Sequence, residues 1–209
     1  MENFIDLIKS GAIDGWREYN IRPSITIAQG ILESGWGDSG LAQQANNLFG
    51  IKWFPGCGHD VGYFDTQEFI QGQYVTMKEP FRVYASFNDS VRDHSELLSI
   101  PLYTPVRTAK SYQEAAWALY NCGYATAPNY ADALINIVET YGLNYYDGEM
   151  FKMYKDADKI SSYALNDVVM LNELKIMVGD DEGNFNPKAP ITREQAASLI
   201  ARTIRELRK

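Results

Sequence analysis

In ITIAQGILESGWGDSGLA, residues 25–42, an aliphatic run closes on one carboxylate, Glu33, and then breaks at Gly35-Trp36-Gly37. Ile27 and Ile31, with Ala28 and Leu32 beside them, recur at i, i+4, the spacing of a helix that turns an apolar stripe to a core. Pro23 suits the first turn, where its missing N–H would have no helical partner anyway. The pattern reads as helical from Ser10 to Gln43, and the glycines at 35, 37 and 40 end it. Glu33 then has two readings. It is a solvated carboxylate at a helix end, or an acid held near Trp36, Phe49 and Trp53, where partial desolvation raises its pKa and lets it keep a proton near neutrality.

Downstream the character changes. Residues 61–87, VGYFDTQEFIQGQYVTMKEPFRVYASF, crowd β-branched and aromatic residues around an IQGQ turn, with Pro80 marking an edge or bend, and predict a small antiparallel hairpin. Helices resume after the capping cluster Asn88-Asp89-Ser90 and after the Ser111/Glu114 capping box. Another runs from about Asn129 to Tyr141 and closes on Gly142. Residues 146–160 have no clear period and read as a linker. Beyond them come an amphipathic helix through Val168, Leu171 and Leu174, a Gly/Asp/Asn/Pro loop, and a helix with Ala196, Ile200, Ile204 and Leu207 on one face. The expected class is α+β, mostly helical. A mostly helical domain with a small β lobe spans 1–145 and a helix-loop-helix module spans 161–209. About 50 residues is too few for a strong core, so the module should pack on the first domain or on copies of itself.

Composition narrows the partners. A net charge of -8 opposes general binding to nucleic acid or anionic membrane, both of which favour basic faces. From Lys188 onward, however, six basic residues face two acidic ones, a net +4 that leaves -12 on the rest. That asymmetry fits a second unit with its own partner, or a solvated terminal helix. Fourteen Tyr and four Trp exceed the needs of a core and suit a sugar-binding cleft, because each offers a flat face with a polar handle. Cys57 and Cys122 are either free thiols or one disulfide of an exported protein. Cys57 and His59 do not fill a tetrahedral metal site, and the Asp180-Asp181 loop lacks the ligand spacing of a calcium loop, so no metal or cofactor is expected. The N-terminus lacks the basic and apolar regions of a signal peptide. No apolar run is long enough to span a membrane.

Four ordered blocks carry a resemblance. ITIAQGILESGWGDSGLA followed by NNLFGIK (46–52), TQEF (66–69), FRVYASFNDSVRDHSELL (81–98) and NCGYATAPNYADAL (121–134) together resemble the glycoside hydrolase family 73 glucosaminidases, which include autolysins and phage lysins. The resemblance covers most of residues 15–142. It implies a lysozyme-like fold and an endo-β-N-acetylglucosaminidase that cuts the peptidoglycan glycan strand at the bacterial wall. It makes Glu33 the general acid and Glu68 the second carboxylate, with assistance by the sugar's 2-acetamido group as the rival to Glu68. Glu79 reads better as a charge on a strand edge. Tyr124 is implied at the cleft as a hydrogen-bonding catalytic residue. Trp36, Asn47, Phe49 and Tyr130 are implied as groove residues, with Phe49 equally suited to the core. Ala127 stands where Asp is commoner, and Cys122 where a small residue is commoner; neither touches the proton chemistry. A muramidase or lytic transglycosylase on the same scaffold, or a non-catalytic wall-binding protein, are the competing readings. A chain without a signal would reach the wall as a phage lysin does, through a holin-made hole, or would have lost its signal.

The stretch DVVMLNELKIMVGDDEGNFNPKAPITREQAASLIAR, residues 167–202, resembles one S-layer homology repeat, with its GD-x-x-G-x-F-x-P loop and ITRE helix start. That resemblance implies contact between Arg193 and acidic secondary cell-wall polymer. Such repeats act in threes, so a single one also implies self-association or a weak single-site contact.

Overall fold

Asn20, in left-handed backbone at φ 59°, ends a first helix, α1 (Phe4–Tyr19), and Pro23 opens a second, α2 (Pro23–Ser34). The stretch expected as one helical run from residue 10 is thus three helices, completed by α3 (Gly40–Ala45). The computed structural model describes residues 4–70, 73–148 and 154–208. The chain divides into two compact units, residues 1–144 and 145–209.

In the first unit, where the short α5 (Thr104–Thr108) follows α4 (Phe87–Leu97), α2 packs against α1, α4, α6 (Tyr112–Asn121) and α7 (Tyr130–Tyr141). The single apolar stripe expected of it understates this burial. Ile25, Ile27 and Ala28 are all sealed from solvent, as a helix surrounded by other helices requires. α1 and α4 lie close because α1 carries two glycines. A Cβ at Gly15 would stand 2.3 Å from Ser95 Oγ, and one at Gly11 would stand 2.8 Å from Asn88 Oδ1. Asn88 fills that gap by accepting from Gly11 N at 3.0 Å and donating to Leu7 O at 2.9 Å. It is therefore not a cap, and the cap of α4 lies earlier, at Ser86, which accepts from Asp89 N. Ser111 caps α6 as expected and Gly142 closes α7 at φ 63°.

Strands β1 (Asp60–Ile70) and β2 (Gln73–Val83) form the antiparallel hairpin, in register from Asp60 opposite Val83 to Ile70 opposite Gln73. Its base is fastened to the helices. Arg82 N donates to Ile51 O, Trp53 N to Pro80 O, and the buried Asp93 of α4 accepts from Arg82 Nη1 on both carboxylate oxygens at 2.8 Å and from the Tyr84 hydroxyl.

The second unit carries α8 (Leu165–Glu173), the acidic loop and α9 (Arg193–Glu206), which Thr192 and Gln195 close with a capping box. Tyr154 to Ile160, within the stretch read as a linker, contributes buried Tyr154, Asp156, Ala157 and Ile160 to it. Asp156 accepts from Phe185 N at 2.7 Å and Asn186 N at 2.9 Å, and the Tyr154 ring meets Phe185 at 5.1 Å. No residue of α9 is buried among those described, and Ile200, Ile204 and Leu207 are all exposed.

Candidate active site

The backbone after α2 turns through three consecutive positive φ angles, at Gly35 (58°), Trp36 (65°) and Gly37 (80°). Glycine meets two of them without strain, and at Gly37 a Cβ would also strike the Phe4 ring at 2.9 Å. The turn is tied down by Ser34, whose hydroxyl donates to Gly30 O and accepts from Gly37 N at 2.7 Å. Trp36 packs edge-on between Phe4 and Tyr141, at 6.1 and 4.8 Å. It anchors the turn to α1 and α7 and does not line the groove beside Glu33.

That groove has a volume of about 470 Å³ and is lined by Leu32, Glu33, Tyr124, Thr126, Asn129 and Tyr130 among others. Glu33 Oε1 accepts from the Tyr130 hydroxyl at 2.8 Å, and that hydroxyl accepts from Gln29 Nε2 at 3.0 Å. Glu33 stands one turn after Gln29 on α2, so their side chains share a face. Solvent reaches Glu33 as a residue, while protein crowds its carboxyl. The crowding pushes its pKa above the usual carboxylate value, against the Tyr130 hydrogen bond that pulls it down. The direction of the shift is what an acid in a groove wall requires. Burial, reinforced by the Glu33 charge, raises the phenols of Tyr124 and Tyr130, which stay protonated donors.

Beneath these groups runs an aromatic column. Phe49 stacks on His94 at 3.9 Å and 16°, His94 meets the Tyr124 edge at 5.8 Å, and Tyr124 lies over Tyr130 at 6.0 Å. His94 is fully buried, and its two ring nitrogens have no partner among the described residues. Burial pushes its pKa down to about 3, so the ring serves as a neutral plate in the column.

Phe49 is buried in the column, as core. Asn47 is 1% exposed, and both amide protons are donated, to Ile51 O and Arg82 O at 2.9 Å each. It braces the loop against β2. Glu79 pairs with Lys52 at 3.3 Å, as a strand-edge charge would. Glu68 lies in β1 opposite Val75, and its side chain is outside the described residues. Arg193 is exposed at the start of α9. Cys57 and Cys122 are free thiols. The Asp180 carboxylate accepts from Glu182 N, Asn184 N and Asn186 Nδ2, and so closes its own loop. Gln29 and His94 escaped the sequence reading; the one visible signal was a polar residue at 29, four before Glu33, inside an otherwise apolar run.

Residues 9–143 match the glucosaminidase family, described as mannosyl-glycoprotein endo-beta-N-acetylglucosaminidase, a span of more than half the chain. The chain belongs to that family. Residues 154–197 match the S-layer homology domain. Among similar proteins, the exo-glucosaminidase LytG of Bacillus subtilis (strain 168) is 43% identical over 174 residues, 79% of this chain and 61% of that protein. A probable N-acetylmuramidase of Lactococcus lactis subsp. lactis (strain IL1403) is 40% identical over 156 residues, 70% of this chain and 35% of the relative. The catalytic domain of the autolysin Auto from Listeria monocytogenes superposes with a TM-score of 0.62 at 32% identity, over 69% of this chain and 85% of that one. This glucosaminidase-family chain spans less than two thirds of the length of the curated relatives it matches. Its mostly helical fold with a small β lobe is that of the family's catalytic domains.

Proposed function

We propose that the chain is a peptidoglycan hydrolase, an endo-β-N-acetylglucosaminidase with Glu33 as general acid. The observation that carries this reading is the Glu33 carboxyl, raised in pKa by burial and held by Tyr130, in an open groove of a glucosaminidase-family fold. Protonated Glu33 gives its proton to the glycosidic oxygen, the alcohol leaves, and positive charge develops at the sugar C1 and ring oxygen. A second group then meets that charge or activates water. Glu68 on β1 is the protein's candidate, and the 2-acetamido oxygen of the sugar is the substrate's. Tyr124 lines the groove as a donor to the sugar or to water, and Tyr130 lines it while its hydroxyl proton holds Glu33.

A second reading has its own support, since one relative is named a probable N-acetylmuramidase. Product ends separate the two. After digestion of purified peptidoglycan and borohydride reduction, mass spectrometry is expected to find reduced GlcNAc at the new ends. Reduced MurNAc would make the chain a muramidase, and anhydro-MurNAc a lytic transglycosylase. Walls that gain no ends would leave a binding protein only.

The second unit is proposed to hold the enzyme on acidic secondary cell-wall polymer through Arg193. The basic surplus after Lys188 and the S-layer homology match support this. Ile200 and Ile204 of α9 and Leu207 at its C-cap, exposed on the expected apolar face, support self-association. In a pelleting assay with purified walls, Arg193→Ala is expected to weaken binding about fivefold, because an exposed ion pair contributes at most about 1 kcal/mol. The loss multiplies if several copies engage the wall together. Unchanged pelleting would remove Arg193 from the contact.

A further inference from the structure

Gln29 is sealed from solvent on α2, yet its side chain is polar and only half engaged. Nε2 reaches the Tyr130 hydroxyl at 3.0 Å, while Oε1 is buried with no hydrogen-bond partner among the described residues. A buried acceptor left unpaired is unfavourable, and an apolar side chain at position 29 would avoid it. The amide is therefore explained by what Nε2 does at Tyr130.

The Tyr130 hydroxyl has one proton and stands between two groups able to accept it, Glu33 Oε1 at 2.8 Å and the Gln29 amide oxygen should that amide turn over. With the amide NH2 facing it, the phenol oxygen accepts from Gln29 and its proton is left to point at Glu33. Turned over, the amide would set two acceptors around one proton and draw it from the acid. We infer that Gln29 is a positioning residue, which aims the Tyr130 hydroxyl proton at Glu33 Oε1 and so keeps the acid's own proton on Oε2. Oε2 has no partner among the described residues and Glu33 lines the groove, so a proton kept there is available to a glycosidic oxygen. Donation from Gln29 also polarises the phenol and strengthens its bond to the ionised carboxylate, as hydrogen bonds in a chain reinforce one another.

This inference rests on Glu33 being the general acid, and its test is read on Glu33 itself. The ionisable groups acting on Glu33 are Tyr130 and Tyr124, both held protonated by burial, so a titration in the acid range follows Glu33 alone. The carboxyl carbon of Glu33, assigned by its loss in Glu33→Gln, is titrated by NMR in the full chain. Tyr130→Phe should raise the Glu33 pKa by about one pH unit, the scale of one hydrogen bond to a charged group. Gln29→Met should raise it by roughly a third of that, with the basic limb of kcat/KM moving alike. On the Tyr130→Phe background Gln29→Met should add nothing, because its route to Glu33 is gone. Gln29→Asn, which keeps an amide too short to reach the phenol, should behave as Gln29→Met and stands in for it if the latter does not fold. A shift of equal size on both backgrounds, or none on the native one, would overturn the inference. Retained activity in Glu33→Gln would overturn the acid reading instead, and the NMR cycle does not depend on activity.

Discussion

Glu33→Gln is expected to lower the release of new glycan ends from purified peptidoglycan by about 10³-fold, within the range contributed by a positioned proton donor. Glutamine keeps the shape and the hydrogen bond with Tyr130 but has no proton to give. The same change should leave the fold intact, and more stable at pH values above the raised pKa of Glu33. Burial raises the carboxyl's pKa in the folded chain, so folding favours the protonated form. That contribution is complete below the unfolded carboxylate pKa and disappears as pH rises through the raised one. Above the raised pKa the native chain bears an unfavourable charge that glutamine lacks, and the stability gap should close on acidification. Hydrolysis by the native enzyme should fall over the same rise in pH, as the acid loses its proton. Near-native activity in a folded Glu33→Gln chain would remove Glu33 from the chemistry.

How far the site could be read in advance depended on how local each contact is. The buried helix that ends at Glu33 and the turn after it were legible because their cues are local, the apolar run before Glu33 and the glycines after it. The hairpin, the cap at Ser111 and the stop at Gly142 were legible for the same reason. Asn88 was misread as a cap because its partners, Leu7 and Gly11, stand some 80 positions away, and no local pattern announces them. Trp36 and Asn47 belong to motifs that look like a ligand wall in one dimension. Once folded, the indole faces Phe4 and Tyr141 and the amide holds two backbone carbonyls. Gln29 acquires meaning only through Tyr130, 101 residues later in the chain.

Asp93→Asn should cost the first unit about 3 kcal/mol, the scale expected when one partner of a buried ion pair is removed. The side chains of Arg82 and Asp93 are only 14% and 8% exposed, and the carboxylate accepts from Arg82 with both oxygens, from the Tyr84 hydroxyl at 2.5 Å, and lies 3.4 Å from His59 Nε2. Asparagine offers one acceptor where there were two and sets amide protons against a guanidinium and a phenol that are themselves donors. Arg82 is then left charged and poorly paired. The damage falls at the base of the hairpin, which joins α4 through this cluster and carries Glu68 on β1, so kcat should fall together with stability. All four tryptophans lie in residues 1–144, so fluorescence during urea unfolding reports that unit alone. Its midpoint should drop sharply in Asp93→Asn, and the double variant Arg82→Met/Asp93→Leu should recover much of the loss by removing both charges. A loss below about 1 kcal/mol in Asp93→Asn would place the pair among solvated surface contacts, and the hairpin would then need another fastening to hold β1 over the helices.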